Sequence, residues 1–103
     1  MTIRFNNNYL EALYQGIATP GKPRFDKVVV VKFKKTVLLL ANAENIGEIQ
    51  RINGLNFELL SGNYKGYCSV RVDKKYRLIL LIEGEDLLSA EALIVEDLTY
   101  HYK

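Results

Sequence analysis

The sequence is poor in the residues that staple, ligate or anchor a small protein. It has one cysteine, Cys68, and one histidine, His101, in 103 residues. A lone cysteine cannot close an internal disulfide, so a reducing compartment is expected. With no cysteine cluster and a single histidine, neither a structural zinc site nor any other metal site is expected. No apolar run approaches the ~20 residues needed to span a bilayer. The longest candidate, Val28 to Leu40, is broken by Lys32, Lys34 and Lys35. The opening MTIRFNNNYL lacks the basic-then-apolar order and the small-residue cleavage site of a secretory signal. Internal repeats, low-complexity tracts and linkers are missing too. These absences lead to the expectation of one domain over residues 1–103, cytoplasmic and away from membranes.

What is present fits that expectation. A chain that is 49% hydrophobic and 25% charged is too apolar to stay disordered. At this length one core can bury roughly 60–70% of the unfolded surface. The formal net charge is only +2, but it is unevenly spread. Residues 22–35 carry Lys22, Arg24, Lys27, Lys32, Lys34 and Lys35 against Asp26 alone. Residues 61–77 carry Lys65, Arg71, Lys74, Lys75 and Arg77 against Asp73 alone. Residues 78–99 reverse the sign, with Glu83, Glu85, Asp86, Glu91, Glu96 and Asp97 and no cation. Blocks of this kind are either solvated surface or separate faces, a basic one suiting a polyanion.

The local patterns order the elements. Thr2 to Phe5 reads as an optional short strand. Asn6 to Asn8 supply N-cap chemistry for a helix through Tyr9, Leu10, Leu13 and Tyr14, closed by Gly16. ATPGKP (18–23) is a loop, with Pro23 placed to open a second helix. Residues 24–41 contain four consecutive valines, which favour a strand, yet they run too long without a turn signal for one. Phe25, Val28, Val29, Thr36, Val37 and Leu40 share a helical stripe, with Lys32 inside it, so helix is the reading adopted. Its surplus apolar positions, Val30, Val31 and Leu38, suggest a second covered face. NAENIGEI (42–49) reads as a cap-like connection. Strand patterns follow at Leu55–Leu60, Tyr67–Val72, Tyr76–Ile82 and near Ala90–Leu98. The fold expected is α+β, with two N-terminal helices packed on an antiparallel sheet of about four strands.

Alternation gives the first clue to chemistry. Cys68, Val70 and Val72 share one strand face, and Tyr67, Ser69 and Arg71 the other. If Tyr76, Leu78, Leu80 and Ile82 join the same core, Val72 pairs with Tyr76 and Arg71 pairs with Arg77. Two guanidinium groups directly opposed cost stability unless an anion or acid lies between them. A phosphate would be such an anion, since arginine offers a planar fork of donors. An acid of the last strand, Glu96 or Asp97, is the competing partner. The C-terminal TYHYK holds His101 between Tyr100 and Tyr102. An imidazole titrating near pH 6.5 suits acid or base work if it reaches the arginine face. Tyr64, Tyr67, Tyr100 and Tyr102 offer ring faces for a splayed base, or simple packing. Cations, rings and one imidazole with few carboxylates suit metal-free RNA cleavage.

The segment NFELLSGNYKGYCSVRVDKKYRLIL (56–80) resembles the HigB branch of the RelE/ParE toxin superfamily. Its skeleton, from Phe57 to Arg77, is F-x-x-L-x-G-x-x-x-G-x-x-S-V-R-V-x-x-x-Y-R. IGEIQRI (46–52) is similar to the family's segment before the sheet, and the closing TYHYK to its terminal Tyr-His. The resemblance implies a RelE-like fold, related to microbial ribonucleases, and the toxin of a type II toxin–antitoxin pair. The implied activity is cleavage of mRNA on the ribosome by 2′-hydroxyl attack, with no cofactor. The implied partners are a cognate helix-turn-helix antitoxin, the ribosome and mRNA. Arg77 matches the family's phosphate clamp, Tyr100 and His101 its terminal pair, and Arg71 a frequently basic neighbour. The RNA-binding candidates are Arg71, Lys65, Lys74, Lys75 and Tyr67. The chain departs from the pattern at Ser61, where many members carry lysine, and at Thr99, where an acid is common. Two other classes compete: a ParE-like toxin acting on gyrase, and a non-catalytic RNA- or protein-binding module.

Overall fold

The computed structural model describes residues 1–100, and the last three positions lie outside the description. The chain forms strand β1 (Thr2–Phe5), helices α1 (Asn8–Gln15), α2 (Lys27–Asn42) and α3 (Ile46–Gln50), and strands β2 (Glu58–Leu59), β3 (Tyr67–Arg71), β4 (Tyr76–Glu83) and β5 (Ala92–Tyr100). A 3-10 turn at Gly62–Tyr64 separates β2 from β3. The class is α+β as expected, but the sheet has five strands, in the order β1-β5-β4-β3-β2. β2 to β5 form the expected antiparallel meander, and β1 adds a parallel edge to β5. Four residues of β1 are too few to carry an alternation signal, and only their pairing with Ala92–Val95 makes them a strand.

Helix α1 begins and ends on the predicted residues. Asn7 is its N-cap, its side-chain oxygen accepting the Leu10 N–H at 3.1 Å, and Gly16 closes it at φ 75°. Helix α2 starts later than Pro23 suggested, with Asp26 as its first flanking residue. Its buried stripe is Val29, Phe33, Thr36, Val37 and Leu40. That stripe is rotated from the expected one. Val28 is 63% exposed and Phe33 fully buried. Burying the aromatic ring gains more than burying a valine and carries Lys32 to the surface, which removes the charge from the stripe. Thr36 satisfies its hydroxyl on the Lys32 carbonyl at 2.8 Å, so it can sit inside. The connection at 42–49 contains α3, capped by the Asn45 side chain on Glu48 N–H, and buries Ile46 and Ile49.

All the helices lie against one face of the sheet. The core joins Leu10, Phe33, Val37, Leu40, Ile46 and Ile49 to Cys68, Val70, Leu78, Leu80, Leu93, Val95 and Leu98. Leu93, Val95 and Leu98 can all point inward because the β4–β5 register shifts between Ile79 and Leu80. Ile79 pairs with Asp97 and Leu80 with Val95, so Glu96 is the extra residue of a bulge. The Glu96 carbonyl so released accepts the Asn7 side-chain N–H at 3.1 Å, tying the bulge to the start of α1. The expected strand Leu55–Leu60 shrinks to two residues, because Asn56 takes a left-handed conformation at φ 46°. Among the described residues, no helix is long and apolar enough to cross a membrane.

Candidate active site

The face of the sheet away from the helices carries Tyr67, Ser69 and Arg71 of β3 and Arg77 and Ile79 of β4. Arg71 and Arg77 are directly opposed, as alternation required. The Val72 N–H donates to the Tyr76 carbonyl at 2.9 Å, and the Asp73 carboxylate accepts the Lys75 and Tyr76 N–H groups, both at 2.8 Å. The DKK turn is therefore held by its own aspartate, which sets the register and with it the arginine pair.

The two arginines are treated differently. Arg77 is only 8% exposed. Its Nε donates to the Ser69 hydroxyl at 3.0 Å, and its Nη2 to the carbonyls of Asn56 at 2.6 Å and Ser69 at 3.3 Å. The left-handed turn at Asn56 is what aims that carbonyl at the guanidinium. Arg71 is half-buried and makes one long contact, from Nε to the Asp73 carbonyl at 3.3 Å. The acid nearest Arg77 is Glu58 of β2, at 3.4 Å and itself largely exposed, rather than Glu96 or Asp97. No hydrogen bond from Nη1 of Arg77 is found among the described residues. The guanidinium borders a cleft of about 230 Å³ lined by Asn56, Arg71, Asp73, Lys74 and Arg77. Positive charge, a fixed guanidinium fork and an open mouth suit the cleft to an oxyanion.

A second hollow of about 570 Å³ adjoins it, on the same face. Tyr64 and Tyr67 meet edge to face there, with ring centroids 6.0 Å apart. Ile79 and Leu60 line it, and Glu96, Asp97 and Thr99 of β5 stand at its side. Tyr67 thus joins the arginine face, as expected.

Tyr100 does not. It pairs with Tyr76 and packs edge-on to that ring at 5.6 Å, and Tyr76 in turn meets Phe25 at 5.5 Å on the helix-bearing face. Lys74 borders both the arginine cleft and a hollow around Tyr76 and Tyr100, while Lys75 borders only the latter. Lys65 is exposed at the end of the 3-10 turn and lines neither hollow of the arginine face. His101 lies outside the described residues. Sequence reasoning missed Ser69, Asn56 and Glu58 as partners of Arg77. Only Ser69, on the Arg71 face by alternation, carried a signal. The Cys68 thiol is ruled out as a nucleophile, because burial in the core pushes its pKa up to about 12.

The model of the HigB-like family of RelE-like toxins of type II toxin–antitoxin systems matches residues 3–93. The chain belongs to the HigB-like toxins. It is 35% identical over 81 residues to Toxin HigB-1 of Vibrio cholerae serotype O1, covering 77% of this chain and 81% of that one. Two solved structures share the fold of this HigB-like chain. The YoeB/ParE toxin from Agrobacterium tumefaciens superposes with a TM-score of 0.61 at 20% identity, covering 99% of this chain and all of the other. The YoeB–YefM complex from Staphylococcus aureus gives 0.58 at 19% identity, covering 99% of this chain and 98% of that one. These likenesses extend over the weakly patterned first 40 residues, where the sequence resemblance was faintest.

Proposed function

We propose that this HigB-like toxin is a ribosome-dependent mRNA endoribonuclease acting in the cytoplasm. The observation that carries the reading is the Arg77 guanidinium, buried, held by neutral oxygens, and directly opposed to Arg71 at the edge of an open cleft. In the proposed reaction the RNA 2′-oxygen attacks the adjacent phosphorus and the 5′-oxygen leaves. The products are a 2′,3′-cyclic phosphate and a 5′-hydroxyl, so no water is consumed in the cut. Arg77 stabilises the extra negative charge on the phosphorane, and its geometry needs no reorganisation when that charge appears. Arg71 and Lys74 neutralise the flanking phosphates, and Lys65 and Lys75 add longer-range attraction. Tyr67 offers a ring to a base. His101 moves the proton between the 2′-hydroxyl and the departing 5′-oxygen. Tyr100, packed on Tyr76, fixes the end of β5 from behind.

The cognate partner is an antitoxin encoded beside the gene, a helix-turn-helix protein in this reading. The toxin–antitoxin family and the YoeB–YefM complex support it. Induction in a bacterial host, with genome-wide mapping of mRNA 5′ ends, tests the activity. In-frame cuts in translated messages, lost in Arg77→Lys and His101→Gln, are expected. Growth arrest with intact mRNA and blocked DNA replication would overturn the reading in favour of a gyrase poison. No toxicity and no cuts would leave a binding module.

A further inference from the structure

The 570 Å³ hollow beside the arginine cleft is large enough for a ligand and is mostly apolar, yet it lies next to a site built for a polyanion. Its position is set by the strands. Thr99 is the cross-strand partner of Arg77, and Asp97 the partner of Ile79, two residues further along β4. Two strand residues advance roughly 7 Å, so whatever fills the hollow is attached close to the phosphate held at Arg77. One wall is aromatic, with Tyr64 58% exposed and set edge-on to Tyr67. A planar, π-faced group fits such a wall.

The charge on the opposite side is the informative part. A carboxylate beside an RNA backbone repels phosphate and any base edge made of acceptors. Asp97 is exposed, and its Oδ1 accepts the neighbouring Leu98 N–H at 2.9 Å, which fixes the carboxylate. Among the described residues, Oδ2 and the second lone pair of Oδ1 remain. Glu96 lines the hollow as well, its Oε1 accepting from the Asn6 side chain at 3.1 Å. The bulge sets the register that pairs Asp97 with Ile79 on the open face. Of the four bases only guanine presents two adjacent donors, N1–H and the N2 amino group, on its Watson–Crick edge. Adenine and cytosine set one donor beside a ring acceptor, and uracil sets one donor between two carbonyls. The acceptor-only carboxylate therefore matches guanine, and the Asn63 amide in the same hollow can donate to an oxygen such as O6.

We propose that this hollow is a guanine-reading subsite, with the base stacked on Tyr64 or Tyr67 and its Watson–Crick edge on Asp97. It deepens the ribonuclease reading by naming the nucleotide next to the cut, and it rests on that reading for its role in cleavage. The test has two arms. In the first, the purified full chain is titrated with the 3′-monophosphates of guanosine, adenosine, cytidine and uridine, followed by the NMR signals of its tyrosine rings. Guanosine monophosphate is expected to bind roughly tenfold tighter than the other three, the discrimination typical of a good bidentate contact. Asp97→Asn should erase that preference, because its amide turns a donor toward N1–H. In the second arm, 5′ ends are mapped after induction of the wild type and Asp97→Asn. Guanine should be enriched at one fixed position beside the wild-type cuts and not in the variant. Equal affinity for the four nucleotides, or a preference that survives Asp97→Asn, would overturn the subsite. Cuts dependent on Arg77 but without base bias would do so while leaving the ribonuclease intact. Guanosine selectivity with no cuts would do the reverse.

Discussion

Replacing Arg77 with alanine tests whether this residue is a structural group as well as a chemical one. The wild-type guanidinium is 8% exposed and donates to the Ser69 hydroxyl and the Asn56 carbonyl at 3.0 and 2.6 Å. Hydrogen bonds from a charged donor are worth about 1.5–3 kcal/mol each, and their loss leaves acceptors to find water in the vacated space. One term offsets this. Removing one of two opposed cations relieves about 0.2–1 kcal/mol of repulsion with Arg71. The contact with Glu58 contributes little, since that carboxylate is 63% exposed. The net expectation is a loss of about 2–6 kcal/mol, a large share of the roughly 5–15 kcal/mol that holds a domain together. Arg71→Ala removes one contact at 3.3 Å and the same repulsion, so it should stay within about 1 kcal/mol of wild type. Urea unfolding followed by circular dichroism or tyrosine fluorescence measures both, there being no tryptophan. An Arg77→Ala variant as stable as wild type would refute the account, as would an Arg71→Ala variant equally destabilised. The outcome bears on every activity assay, because lost toxicity in Arg77→Ala then conflates unfolding with lost chemistry. Arg77→Lys, which keeps a cation and fills most of the space, is the cleaner probe.

Two further outcomes follow from the core and the bulge. Asn7→Ala should cost about 1–2 kcal/mol, because it removes both the cap of α1 and the tie to the Glu96 carbonyl. Asn7→Asp, which keeps the cap but loses the N–H donor, should fall between it and wild type in urea midpoint. The Cys68 thiol, buried and raised from 9.0 to about 12, should resist alkylation at pH 8 in the native chain and react at once in urea. The unfolded chain gives up that proton first as pH rises above 9, so stability should decline from there toward pH 12, and Cys68→Ala should flatten that part of the profile.

The features legible in the sequence were those set by strong local chemistry. Alternation through Cys68, Val70 and Val72 and through Leu78 and Leu80, joined by a three-residue turn, was enough to oppose Arg71 and Arg77. Asn7 and Gly16 marked α1 because capping acts over a single turn. The missed features depend on distant partners. The length of β2 is cut by the left-handed Asn56, whose conformation matters only because Arg77 needs its carbonyl. The α2 stripe was centred on the valines, whereas the sheet accepts Phe33. The bulge at Glu96 has no local signature at all, since Val95 and Leu98 share a face only once Ile79 and Leu80 have chosen their partners. Alternation along β5 sets Tyr100 on the face opposite to Thr99, the partner of Arg77. Tyr100 accordingly stands behind the sheet with Tyr76.

The way the fold pays for Arg77 is the strongest argument that its charge is meant for a ligand. A buried guanidinium held only for stability is best matched by a buried carboxylate, which cancels its field. Here the groups that hold it are a hydroxyl and two carbonyls, neutral dipoles that fix its orientation and leave its charge intact. The acid within ion-pair range, Glu58, sits at 3.4 Å on the exposed edge strand, where water screens it. Asp73, the acid within the cleft, has its Oδ1 occupied by two turn N–H groups. Lys74 and Arg71 then add to the same potential rather than offsetting it. A polyanion laid across the open face would meet a site whose orientation has been fixed in advance and whose charge has not been spent. This arrangement explains why opposed arginines are tolerated in a chain whose net charge is only +2.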